Sequence, residues 1–193
     1  MKNKYILLFI LITSVFSCKK TTSDLPIDFT IHENWEFKSI ENSDWKSASV
    51  PGNIFTDLLT HKIIPDPFVK TNEEKVQWVS KKDWEYKTTF SVNEPTLQKE
   101  NITISFEGLD TYAKVYLNNQ LLISTSNAFR TYTIDVKKHL KSNNDLKIIF
   151  TNTDKIETQK EAKNPYQLPE GKRIYTRKAQ FQYGWDWGPK MNT

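Results

Sequence analysis

Cysteine, histidine and glycine are all scarce in this chain, at one, three and five residues out of 193. A lone cysteine, Cys18, excludes an internal disulfide. His32, His61 and His139 stand too far apart for metal-ligand spacing, so no metal site is expected. Five glycines cannot furnish a phosphate-cradling loop, and no Walker motif or nucleophile elbow occurs; no cofactor is expected either. Long apolar runs are missing: Tyr5 to Ile12 is shorter than the roughly 20 residues of a membrane span. A dominant charge is missing too. The formal +4 falls to +2 once Lys2 and Lys4 are set aside, and the basic residues form no stripe, which excludes nucleic acid as a partner class.

What is present begins with a leader. Lys2 and Lys4 precede the apolar run, and Ser17 offers a small residue before Cys18. Val15-Phe16-Ser17-Cys18 resembles a bacterial lipobox, although Phe16 is bulkier than usual there. Residues 1–17 then read as a lipoprotein signal, Cys18 as the lipid attachment point and residues 18–28 as a tether. The expected location is the bacterial cell envelope, periplasmic or outer-membrane, on acyl chains that contribute roughly 0.8 kcal/mol per buried CH₂. An uncleaved anchor, or a plain signal with a coincidental cysteine, remains open.

Residues 29–193 read as one domain, and short strands dominate it. Trp84, Tyr86, Thr88, Phe90 and Val92 alternate with Glu85, Lys87, Thr89 and Ser91. Ile102, Ile104 and Phe106 repeat the period. Ala113, Val115 and Leu117 lead to Asn118-Asn119, a pair that tolerates left-handed backbone, and then to Leu121 and Ile123: a hairpin. Tyr132, Ile134 and Val136 follow, then Leu146, Ile148 and Phe150. Helical turns are expected at Ile54–His61 and Asp135–Leu140, with no long amphipathic helix. This is the pattern of an all-β antiparallel sandwich, with Tyr86, Phe90, Ile102, Ile104, Phe106, Val115, Ile148 and Phe150 expected in its core. Trp35, Trp45, Trp78 and Trp84 are assigned to packing. The polar stretches 60–83 and 152–182 read as long loops.

Two of six tryptophans and two of five glycines fall within Tyr183-Gly184-Trp185-Asp186-Trp187-Gly188-Pro189. In extended backbone Trp185 and Trp187 would point to one side and Asp186 to the other. Flat indole surface beside a restrained carboxylate suits a pyranoside, whose C–H faces pack on rings and whose hydroxyls donate to carboxylate oxygens. A structural corner, with buried indoles and Asp186 capping a turn, is an equal reading of these residues alone. Asp110 reads as a turn acid. Glu73, beside Asn72, either reaches a pocket or fixes its loop. Arg173 and Arg177 either pair with Asp186 or orient its loop, with solvated surface an equal reading for Arg173.

A longer series of motifs bears on that choice. Val50-Pro51-Gly52, Asp66-Pro67, Asn72-Glu73, Gln77-Trp78-Val79 and Trp84-Glu85-Tyr86 come in order. Phe106-Glu107-Gly108-Leu109-Asp110-Thr111, Val115-Tyr116-Leu117-Asn118 and Asn127-Ala128-Phe129-Arg130 follow, then Arg177-Lys178-Ala179-Gln180 and the Trp-Asp-Trp stretch. Together they resemble the amino-terminal domain of β-mannosidases in glycoside hydrolase family 2. The resemblance implies a jelly-roll, galactose-binding-like sandwich that lends Trp185 and Asp186 to a terminal-mannose subsite. It implies β-mannoside oligosaccharides as substrate, and retaining chemistry by two glutamates on a separate barrel. The chain ends four residues after the motif, so the sandwich reads as incomplete, the catalytic residues as absent, and the chain alone as inactive. A freestanding carbohydrate-binding module or a structural β-sandwich lipoprotein are the alternatives.

Overall fold

The computed structural model describes residues 26–193, and residues 31–193 form one compact unit. The leader, Cys18 and most of the tether lie outside the described residues. Eight strands run through this unit: β1 (Glu36–Ser39), β2 (Lys46–Ser47), β3 (Trp84–Ser91), β4 (Thr103–Phe106), β5 (Tyr112–Leu117), β6 (Gln120–Ser124), β7 (Tyr132–Asp135) and β8 (Asn143–Thr151). Six of them form an antiparallel sheet in the order β2-β1-β3-β8-β5-β6, and β4 pairs with β7 in a second layer.

The register follows the alternation in the sequence. Tyr86 lies opposite Ile148, which in turn lies opposite Val115, and all three are buried. Phe37 on β1 stacks on Tyr86 at 5.7 Å and tilts against Trp84 at 6.1 Å. The same period carries Glu85 and Lys87 to the outer face. There Glu85 lies between Lys38 and Lys147, at 3.6 and 3.7 Å, and Lys87 pairs with Glu36 at 3.2 Å. Such surface pairs contribute about 0–1 kcal/mol each and mainly fix which face is out. Asn118 and Asn119 turn β5 into β6 with positive φ at both positions, the twist a tight hairpin requires.

The expected core is only partly enclosed. Tyr86, Val115 and Ile148 are buried, whereas Phe90, Ile102, Ile104, Phe106 and Phe150 are half-buried. A two-stranded layer covers only part of a six-stranded sheet. The rest of the cover comes from helix α1 (Ile54–Thr60) and from Ile64, Val76 and Val79 in the 60–83 stretch. Trp35 and Trp84 pack in the core as expected. Trp45 instead lies on the outer face beneath the ammonium groups of Lys38 and Lys87, and Trp78 is 37% exposed.

The helical turn expected after β7 is present, whereas the long loop expected after β8 is interrupted by a helix. Asp135–Leu140 is a single hydrogen-bonded turn after β7, in which His139 and Leu140 both donate to Val136. The supposed long loop after β8 contains a helix. After α2 (Asn72–Lys75) and α3 (Glu94–Leu97) comes α4 (Thr153–Lys163), capped by Asn152, whose side chain accepts from the Lys155 amide at 2.9 Å. Its inward face is polar, with Thr153 and Glu157 buried, so it carries no apolar stripe for periodicity to detect. No described helix is long and apolar enough to cross a membrane.

Candidate functional site

The Trp-Asp-Trp stretch is a turn rather than an extended strand. A 3-10 turn over Gln180–Tyr183 ends at Gly184, whose φ of +103° lies where a side chain would be strained. Trp185 and Gly188 then exchange both backbone hydrogen bonds at 3.2 Å, which leaves Asp186 and Trp187 at the two tip positions. This corrects the alternation expected of extended chain. All three side chains face outward, with Trp185 65% and Trp187 86% exposed. The indoles are therefore not core residues. Asp186 has no hydrogen-bond or ion-pair partner among the described residues, so it does not cap the turn.

Below the tip, the two legs of this hairpin are fastened. Met191 donates to the Gln182 carbonyl at 3.0 Å and closes the base. On the first leg, the Gln182 side chain donates to Asp110 Oδ2 at 2.7 Å, and Asp110 Oδ1 lies 3.1 Å from Lys178 Nζ. Tyr183 donates its hydroxyl hydrogen to Glu157 on α4. On the second leg, the Lys190 amide donates to Glu73 Oε1 at 2.7 Å, and the Lys190 carbonyl accepts from Gln77 Nε2 at 2.9 Å. Next along the chain, Asn192 donates to Thr153 Oγ1 at 2.7 Å.

Several of these groups are ionisable and buried. Lys178 is 2% exposed, and burial pulls its ammonium below the usual lysine range against the opposing pull of Asp110 and Glu157. Burial, followed by contact with Glu157, pushes the Tyr183 phenol up. A buried ionic network of this kind tolerates few alternative arrangements, because each lost partner strands a charge.

The other predicted residues sort accordingly. Asp110 is not a simple turn acid, since it ties the strand-β5 entry to the hairpin base. Glu73 fixes a segment rather than reaching into a pocket. Asn72 donates to the Asp66 carbonyl at 3.0 Å within its own loop. Arg173 pairs with Glu170, while exposed Arg177 contributes its carbonyl to Ala128 at 2.9 Å; neither meets Asp186. Lys178, Gln182 and Glu157 were not singled out from sequence. Lys178 stood within a motif already quoted, and a lysine that must be buried calls for an acid such as Asp110. Among the described residues, no group of three His, Cys, Asp or Glu could hold a metal ion. A groove of about 140 Å³ lined by Phe37, Leu58, Ile63, Trp78 and Trp84 lies elsewhere and does not include the turn.

The chain is similar to known proteins in sequence and in fold. Residues 35–193 match the family model described as glycosyl hydrolase 2 galactose-binding domain-like. A β-mannosidase B of Thermothelomyces thermophilus is 35% identical over 178 residues, covering 88% of this chain and 20% of that protein. The β-mannosidase of Mus musculus is 29% identical over 174 residues, covering 84% of the chain and 20% of the relative. The crystal structure of a β-D-mannosidase from Dictyoglomus thermophilum superposes with a TM-score of 0.81 at 37% identity, over 84% of this chain and 20% of that one. An exo-chitosanase from Amycolatopsis orientalis shares the fold alone, at 16% identity and a TM-score of 0.53. The chain thus spans about a fifth of the length of the β-mannosidases it matches.

Proposed function

The chain belongs to the glycosyl hydrolase 2 galactose-binding domain-like family, and from that premise we propose that it acts as the amino-terminal domain of an exo-acting, retaining β-mannosidase. In this reading Trp185 and Asp186 form one wall of the subsite for a terminal mannose. The nucleophile and the acid/base glutamate are supplied by a separate catalytic region. One observation carries the reading: Asp186 stands without a protein partner beside two exposed indoles, on a hairpin whose legs are fastened. A carboxylate that capped this turn would accept from its backbone amides. One kept for a sugar has its oxygens free to accept hydroxyl hydrogens, while the indoles supply flat apolar surface. The same reading makes residues 1–17 a signal and Cys18 the lipid anchor, which would hold the domain on the cell envelope.

Asp186→Ala tests the site. Losing a hydrogen bond to a charged acceptor costs about 1.5–3 kcal/mol, so in this chain joined to its catalytic region kcat/KM on an aryl β-mannoside is expected to fall about tenfold to hundredfold. Melting temperature is expected to hold, because an exposed, unpartnered residue contributes within about 0.5 kcal/mol. A destabilised variant with unchanged kcat/KM would make Asp186 a turn residue and remove the site.

A further inference from the structure

The two legs of the hairpin are fastened differently, and the second leg shows how the tip is aimed. Lys190 carries its backbone N–H to Glu73 Oε1 at 2.7 Å and its C=O to Gln77 Nε2 at 2.9 Å. Gln77 Nε2 also reaches the Glu73 carbonyl at 2.9 Å. One helical turn therefore presents an acceptor and a donor, four residues apart, to the two backbone groups of a single distant residue. A neighbouring β-strand would satisfy that residue in the same way. The support beneath is stiff. Val76 and Val79, on either side of Gln77, are fully buried, and the Val79 carbonyl accepts from Trp84 Nε1 at 3.0 Å.

From Lys190 to the tip the chain has little slack. Pro189 fixes its own φ near −65°, and Gly188 is locked to Trp185 by the paired hydrogen bonds. A shift at Lys190 is thus passed to Trp187 and Asp186. We infer that Glu73 and Gln77 are positioning residues for the sugar site: they set the angle of the Trp185–Gly188 turn through the backbone of Lys190. Neither touches the sugar. The inference rests on the reading of that turn as a mannoside subsite.

The test uses the whole chain and three variants: Glu73→Ala, Gln77→Ala and Glu73→Gln. Amide hydrogen exchange is followed at Trp185, Gly188 and Lys190, alongside melting temperature, and kcat/KM on an aryl β-mannoside is measured for the same variants in the chain joined to its catalytic region. Glu73→Ala and Gln77→Ala are expected to speed exchange at Gly188 and Lys190 about tenfold or more and to lower kcat/KM about tenfold, with the melting temperature nearly unchanged. Glu73→Gln retains a carbonyl oxygen that can accept from Lys190 and is expected to restore both readouts. Unchanged exchange at Gly188 in both alanine variants overturns the inference. So does faster exchange with wild-type kcat/KM, since the turn would then need no aiming. Absence of β-mannosidase activity in the wild-type chain joined to its catalytic region would count against the proposed function instead, and exchange at Gly188 would still decide whether Glu73 and Gln77 hold the turn.

Discussion

Asp57 is a carboxyl group drawn into the core by its own helix. It is buried on α1, where it accepts from the Ser49 amide at 3.0 Å and from the Tyr86 hydroxyl at 2.9 Å. Burial raises its pKa above the ordinary 3.8, and the two donors and nearby His61 oppose that rise without cancelling it. The sign of the consequence follows from linkage. A group whose folded pKa exceeds its unfolded value contributes stability that is fully present below the unfolded pKa. That contribution is lost as pH rises through the folded pKa. Asp57→Asn keeps a carbonyl oxygen for the donors and cannot ionise. Its melting temperature relative to wild type is therefore expected to climb as pH is raised from about 4 towards neutrality. A difference that stays flat with pH would show that Asp57 titrates as an ordinary carboxylate. The same residue illustrates a limit of sequence reading: nothing in Ile-Phe-Thr-Asp-Leu-Leu-Thr marks this acid as buried until Tyr86, 29 positions away, is placed beside it.

At the scale of elements, α4 depends on its cap more than on its faces. Asn152 receives the Lys155 amide, and its own backbone and side-chain N–H groups both donate to Asp83 Oδ1 at 2.8 Å, which ties the helix start to the entrance of β3. An N-cap Asn→Ala change costs about 0.5–2 kcal/mol, and the lost side-chain bond to Asp83 pushes Asn152→Ala towards the upper end. For a domain of this size that corresponds to a fall of about 4–8 °C in melting temperature, measurable by thermal unfolding. Unchanged stability would mean that packing alone holds α4. The strands were legible because period-2 alternation and buried faces coincide: Tyr86 and Ile148 could be placed from spacing alone. α4 was not, because its buried face is Thr153 and Glu157 and because the partners that make such a face tolerable, Tyr183 and Asn192, lie far along the chain. The site divides in the same way. The clustering of Trp and Gly marked the turn, but the reversal at Trp185–Gly188 and the fastening by Asp110, Lys178, Glu73 and Gln77 exist only once distant segments meet.

For the molecule as a whole, the proposed anchor can be tested apart from the proposed site. Residues 31–193 form a compact unit that does not contain Cys18, and Cys18 is the sole thiol, so its replacement breaks no disulfide. Lipidation at this residue would attach diacylglyceryl and N-acyl chains. One acyl chain gives marginal, reversible membrane binding, whereas several together hold firmly at roughly 0.8 kcal/mol per buried CH₂. Wild-type protein made in a bacterium that processes lipoproteins is therefore expected in the membrane fraction, and Cys18→Ala in the soluble fraction. The variant should keep the melting temperature of the wild-type chain, because the described core is built within residues 31–193. Two results would remove the anchor. Soluble wild-type protein would show that Cys18 carries no lipid. A Cys18→Ala variant that stays with the membrane would show that the leader itself is retained as the anchor, in which case Lys2, Lys4 and the run from Tyr5 to Ile12 hold the protein there without help from the thiol.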